Sequence, residues 1–358
     1  MKQFRKILGA AAIAAALAGC QRGPEILVCG TYTGDGSHGV YSLQFDSESG
    51  TLTVIDSVAA VNPSYVIISD DGKHVYAVSE NGNESGVYSI DFDSETGRFG
   101  QVHFEPQVGA DPCYIAQVGD KVITADYSGG SVSFFDIKGE TLVPAGRSDS
   151  FQGSGPDARR QASAHLHSTV LSPDGLNVYV ADLGSDRLYC YDVITDELLH
   201  AARVDLAPGF GPRISAVSPN GKYVYVLGEL SGEIAVFSRQ GHSLRQLQTV
   251  VCDSLNVRAA GDIHTSRDGR FVYGSTRREG DGIRTFAVGK DGSLTDCGFT
   301  PTGKHPRQFY LTADDGFVLV ACRDADAVEV YRRDATTGQL TATGQRVRLR
   351  KPVCVSGR

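Results

Sequence analysis

The chain has no tryptophan, and beyond residue 19 it has no apolar run long enough to cross a bilayer as a helix. Positive charge is also scarce. There are 34 Lys and Arg against 42 Asp and Glu, a formal net charge of −8. That balance argues against a nucleic-acid partner, because a phosphate backbone calls for a basic surface. Several catalytic signatures are absent: the Gly-x-Ser-x-Gly elbow, the Gly-x-x-x-x-Gly-Lys phosphate loop and the His-Glu-x-x-His helix. Their absence speaks against covalent serine catalysis and zinc hydrolysis. No cysteine pair has Cys-x-x-Cys spacing, so neither a metal nor a cofactor is expected. Seven cysteines follow Cys20, an odd number that cannot pair completely within one chain. Cys29, Cys190, Cys322 and Cys354 fall in apolar runs and read as buried thiols.

Glycine, by contrast, is abundant: 42 residues in a chain of 358 that is 41% hydrophobic. Short apolar runs between glycine-rich turns suit strands, and the length suits one large all-β domain or two average ones. The first residues form a separate unit. Lys2, Arg5 and Lys6 precede an apolar run from Ile7 to Ala18, followed by Leu17-Ala18-Gly19-Cys20. This arrangement resembles the lipobox of bacterial lipoproteins, in which the signal is cut before a lipid-bearing cysteine. Residues 1–19 are therefore expected to be a signal peptide and residues 20–25 a linker anchored to the membrane by lipid on Cys20. Residues 26–358 are expected to be the folded domain. Cleavage would remove three positive charges and no negative ones, leaving 31 against 42, near −11.

The folded part repeats. One unit is an apolar run, a turn with Asp-Gly or Asn-Gly, and a second apolar run. The turns are Asp71-Gly72, Asp174-Gly175, Asn220-Gly221, Asp268-Gly269 and Asp315-Gly316, with a degenerate Gly119-Asp120. Such dipeptides between apolar runs favour hairpins, because glycine accepts a positive φ without steric cost. Val75, Val122, Val178, Val224, Val272 and Val318 align in the second runs, and one more step back reaches Val28. Each unit also has a third run and a weaker fourth. Seven units of four strands predict an all-β, seven-bladed β-propeller. The N-terminal unit lacks a first strand, and residues 350–357 resemble one. The tail is thus expected to pair with residues 26–32 and close the ring, which leaves no long free edge.

In this geometry the Asp-Gly turns lie on one face. Residues before the first strands and after the second strands meet around the channel on the other. The first group includes Asn62, Asp111, His165, His167, Arg213, Arg258, His305 and Arg307. The second includes Glu80, Asp126, Tyr127, Asp182, Glu229, Arg277 and Arg323. Several are basic although the protein is acidic, so a small anionic ligand is expected there. Tyr127 reads as packing and His264 as structural. His38, His74, His103, His200 and His242 read as loop or surface residues.

Arg160-Gln161, His165-x-His167, Asp182-Leu-Gly, Gly211-Pro-Arg213, Glu229-Leu230, Asp268-Gly-Arg270 ending in Arg277, and His305-Pro-Arg307 resemble the bacterial lactonase family of seven-bladed propellers. The namesake activity of that family is 6-phosphogluconolactonase, and a fungal carboxy-muconate lactonising enzyme is a relative. The resemblance covers roughly residues 26 to 356. It implies a catalytic set of one His, two Arg and one Glu, matched here by His165, Arg213, Arg277 and Glu229. Arg160, His167, Asp182, Arg307 and Arg323 would bind substrate. Many members of the family have His after Gly-Pro-Arg, whereas this chain has Ile214. The expected chemistry is acid–base hydrolysis of a lactone of a sugar or sugar acid. His165 would activate water, one Arg would stabilise the oxyanion and the other would hold the anionic group. Bonding of these side chains to backbone, or ion pairs between blades, is the structural reading of the same residues. Two other functions remain open: a non-catalytic envelope propeller binding an anionic carbohydrate or partner protein, and a cycloisomerase acting on muconate-type diacids. Phosphorylated sugar lactones arise in the cytoplasm, so the expected export and the family's namesake substrate disagree.

Overall fold

A computed structural model describes residues 23–34, 36–106, 109–194 and 197–358. Cys20 and the expected signal peptide lie outside the described residues. The described chain forms seven antiparallel sheets of four strands each. These are the blades of the expected propeller. They are numbered here from the N-terminus.

Ring closure follows the sequence reading. In blade one the C-terminal strand Pro352–Ser356 is innermost, followed outward by Glu25–Thr31, Gly39–Asp46 and Thr51–Ala59. Cys29 pairs with Val355 and Val28 with Ser356. Glu25, expected in the linker, heads its strand, and its carboxylate accepts a hydrogen bond from the Tyr310 hydroxyl at 2.6 Å. The first and last segments of the domain are therefore fastened to each other and to blade seven.

The turns share a side-chain device. In blade four the Ser172 hydroxyl donates to Asp174 Oδ1 at 2.6 Å and accepts the Asn177 N–H at 3.0 Å. Ser69, Ser218, Ser266 and Thr312 repeat it with Asp71, Asn220, Asp268 and Asp314. A short side chain thus closes the turn that the backbone alone would leave open. Gly72, Gly175, Gly221 and Gly269 supply the left-handed residue, with φ between 69° and 75°. Blade seven departs from the expected Asp315-Gly316 register. There Asp314 caps the turn and Asp315 takes the positive φ of 60°.

The core lies between blades. Leu27, Phe45 and Leu52 of blade one pack with Phe317, Leu319 and Val330 of blade seven, Phe45 and Phe317 meeting edge-on at 5.1 Å. Each fully buried side chain of this size contributes about 1.5–3 kcal/mol. Cys29, Cys113, Cys190, Cys252, Cys322 and Cys354 are buried free thiols, and Cys297 is half-buried and free. His74, His103 and His200 lie within strands and not in loops; His200 is exposed, in keeping with a surface residue, while His74 and His103 are half-buried.

Candidate active site

Each inner strand starts at the face away from the Asp-Gly turns. Five of these strands are preceded by a left-handed residue followed by proline: Asn62-Pro63, Asp111-Pro112, Gly211-Pro212, His305-Pro306 and Lys351-Pro352. Proline is tolerated there because the first residue of a strand can spare its N–H. In blades three, five and seven the next residue is then skipped by the strand ladder, and blade four has the same skip without the proline. Register jumps from Pro112 to Tyr114, from Leu166 to Ser168, from Pro212 to Ile214 and from Pro306 to Gln308. Such bulges re-aim the skipped side chain. The skipped residues are Cys113, His167, Arg213 and Arg307, and all four line one cavity of about 630 Å³ at the channel mouth. His167, Arg213 and Arg307 therefore belong to the inner strands rather than to the segments before them.

The ends of the second strands supply the rest. Glu229 follows Tyr223–Gly228, Arg277 follows Phe271–Thr276 and Arg323 follows Phe317–Cys322. Arg160 reaches in from the loop before blade four. Altogether the lining carries seven cationic side chains, Arg160, Arg213, Arg277, Arg278, Lys304, Arg307 and Arg323. Four carboxylates oppose them, Glu80, Glu229, Asp281 and Asp324.

Glu229 is the hub. Its Oε2 lies 2.6 Å from Arg213 Nη1 and 3.2 Å from Arg277 Nη2, and its Oε1 lies 2.8 Å from Arg160 Nη2. Burial works against its charge, yet Arg213, Arg277, His167 and Arg160 together hold its pKa well below the usual carboxylate range. Arg213 also donates from Nε to the Gly261 carbonyl at 2.5 Å, and Arg277 donates to the carbonyls of Ala259 and Ala260. Burial and the neighbouring Arg213 push Arg277 down to about 9, so it stays cationic at neutral pH. Backbone carbonyls and one carboxylate thus fix both guanidinium planes.

His167 Nε2 contacts Arg213 Nη1 and lies 3.8 Å from Glu229 Oε2. Burial first, then the charge of Arg213, push its pKa well below that of a free imidazole, so it is neutral at pH 7. Arginine can only donate, so Nε2 accepts and the proton resides on Nδ1, 3.4 Å from Cys113 Sγ. His305 is neutral too. Burial and Arg277 lower it to about 3 despite Asp324 at 3.2 Å. The Arg307 guanidinium lies over the Tyr32 ring at 5.3 Å, and no ion pair or hydrogen bond of its side chain is found among the described residues.

Of the residues singled out in the sequence, His167, Arg160, Arg213, Glu229, Arg277, Arg307 and Arg323 line the cavity. His165 and Asp182 do not. His165 stacks on Tyr127 with ring centroids 4.5 Å apart, and its Nδ1 lies 2.8 Å from the Tyr127 carbonyl oxygen. Asp182 is wholly buried and accepts the N–H groups of His165, Gly184 and Ser185. A Cβ at Gly184 would sit 1.8 Å from the Ser163 carbonyl oxygen. The Asp182-Leu-Gly motif is thus a clamp that fixes the start of the His167 strand. Tyr127, read as packing, lines the cavity and receives a hydrogen bond from Arg160 at 3.3 Å. Ile214 is buried and borders a small void beneath the cavity. Sequence reasoning missed Cys113, which the alignment of Pro-x positions before inner strands would have indicated.

The Lactonase, 7-bladed beta-propeller family model matches residues 26–356. A 6-phosphogluconolactonase of Bacillus subtilis is 31% identical over 338 residues, covering 91% of this chain and 96% of its own. A Bacteroides uniformis protein provisionally named a 6-phosphogluconolactonase has a solved structure of TM-score 0.91 at 41% identity, covering 93% of this chain and 99% of its own. A periplasmic gluconolactonase of Pseudomonas aeruginosa is similar at TM-score 0.87 and 32% identity, covering 93% of this chain and 98% of its own. The chain belongs to the lactonase family of seven-bladed β-propellers.

Proposed function

We propose that this lactonase-family protein hydrolyses a sugar or sugar-acid lactone in the channel-mouth cavity. One observation carries the reading: a single buried carboxylate, Glu229, gathers Arg160, Arg213 and Arg277 around a neutral imidazole, His167. We assign the general base to His167 in place of His165, because its lone pair is on Nε2 and its side chain lines the cavity. In the resting site Arg213 Nη1 donates both to that nitrogen and to Glu229 Oε2. A substrate carbonyl drawing Arg213 toward itself would free Nε2 to take a proton from water. Water then attacks the carbonyl carbon, and the oxyanion forms opposite Arg213 and Arg277. The tetrahedral intermediate collapses with loss of the ring oxygen, which takes back the proton from His167.

Negative charge grows along this path, from a neutral ester carbonyl to an oxyanion and finally a carboxylate. An excess of fixed cations, already oriented by Glu229, favours the later states over the first. Arg307 would hold an anionic group of the substrate or the product carboxylate.

Lipidation at Cys20 and a place in the bacterial envelope remain part of the proposal. The lipobox-like sequence supports them, as does the likeness to a protein named periplasmic. An exported enzyme would meet an unphosphorylated lactone. The test is a panel of lactones, gluconolactone and its 6-phosphate among them, followed by base uptake at constant pH. Hydrolysis above the spontaneous rate, lost in Arg213→Lys, is expected. No acceleration by the wild-type protein, with retained binding of sugar acids, would favour a binding protein. Turnover of a muconate-type diacid alone would favour a cycloisomerase.

A further inference from the structure

Far from the cavity, on the outer part of blades two and three, a second set of donors converges. Asp91 lies in the strand Gly86–Asp93, and the neighbouring ladder skips it between Ile90 and Phe92. It pairs across its other edge with His74. His103, in Arg98–Pro106, pairs with Ser89, two residues from Asp91 and thus on the same sheet face. Glu140 comes from the next blade, at the turn after Ser131–Lys138, and its carbonyl accepts the Ser89 hydroxyl at 2.8 Å. One donor atom from each of Asp91, His103 and Glu140 lies within 4.8 Å of the others.

A second observation points to a ligand. Asp91 Oδ1 and His103 Nε2 are buried atoms without a hydrogen-bond partner. Leaving such groups unpaired costs about 1–3 kcal/mol each. His74 Nε2 stands 3.8 Å from Asp91 Oδ1, too long for a hydrogen bond, and lies outside the converging group. One imidazole and two carboxylates from two adjacent blades, with water completing the shell, are a donor set that suits a divalent ion. The mixture of nitrogen and oxygen suits zinc better than calcium or magnesium, which favour oxygen alone.

We propose that Asp91, His103 and Glu140 bind a zinc ion that clamps blade two to blade three. The site would be structural. It shares no residue with the channel-mouth cavity, and each of its donors would satisfy a group that the fold otherwise leaves unpaired or exposed. Binding a metal to the folded chain alone raises its stability by mass action.

The experiment uses the untagged protein stripped with a chelator, then given zinc chloride alone. One tightly held zinc per chain is expected by elemental analysis, with a rise in Tm of about 3–8 °C when free zinc exceeds Kd about 100-fold. Glu140→Gln, at an exposed position that leaves the blade core intact, and His103→Gln should each remove most of that rise. Both should leave lactone hydrolysis unchanged. A chain that takes up no zinc overturns the proposal. So does zinc uptake with an unaltered Tm rise in the Glu140→Gln, His103→Gln double variant, since the ion would then sit elsewhere.

Discussion

Arg213 Nη1 is shared between two buried partners, Glu229 Oε2 at 2.6 Å and the Nε2 of His167. A donor-only guanidinium between a carboxylate and an imidazole fixes the imidazole as neutral, with its lone pair directed at the arginine. The base and the oxyanion donor of the proposed reaction are therefore in contact before substrate arrives. Movement of one nitrogen couples their two tasks.

His167→Ala is expected to lower kcat by about 10²–10⁴-fold, the usual contribution of a positioned acid–base group. His165→Ala should cost much less, because that ring stacks on Tyr127 outside the cavity lining. Rates of lactone hydrolysis for the two variants decide the assignment. Equal losses, or a larger loss in His165→Ala, would count against His167 as the base.

Glu229→Ala leaves three guanidiniums around a missing partner. Removing one member of a buried ion pair costs about 3–5 kcal/mol. A comparable loss should appear in denaturant unfolding. The wild-type pH dependence has a definite sign. Glu229 is lowered by folding, so the stability its charge contributes is fully present above about pH 4.3 and is lost as pH falls below it. His167 and His305 are also lowered, so the unfolded chain binds more protons than the folded one below about pH 6.5. Stability should decline from about pH 6.5 downward and steepen below about 4.3. A transition temperature constant from pH 7 to 4 would contradict this.

Deleting residues 352–358 removes the inner strand of blade one and uncovers the buried Leu27, Cys29 and Val40. The expected result is loss of the cooperative transition. The milder Val355→Asp, which buries a charge beside Cys29, should lower Tm sharply. An unchanged melting curve for the deletion would mean that the ring does not depend on this closure.

Cys20→Ser should abolish lipid attachment and leave the precursor unprocessed or release the protein from membranes. Fractionation of cells with and without the substitution provides the measurement. Membrane association that survives the change would exclude the anchor.

The repeat itself was legible in the sequence, because side-chain alternation and turn chemistry are local. Ser172, Asp174 and Gly175 make a turn wherever the chain goes, and the spacing of Val75 through Val318 counts the blades. The missing first strand of the first unit, with the strand-like tail, even revealed the closure. The convergence of Arg213, Glu229, Arg277 and Arg307 on one mouth followed from the same geometry. What tertiary structure alone decided is where a side chain points within one or two residues. His165 and His167 flank the same leucine, and both precede a turn. A one-residue skip in the ladder sends His167 into the cavity, while Asp182 and Tyr127 hold His165 outside it. The grouping of Asp91, His103 and Glu140 was equally hidden, because it depends on a bulge at Asp91 and on the contact between two blades. A sequence pattern carries a period and a face. Bulges and blade packing set the final direction through backbone pairing between residues distant in the chain.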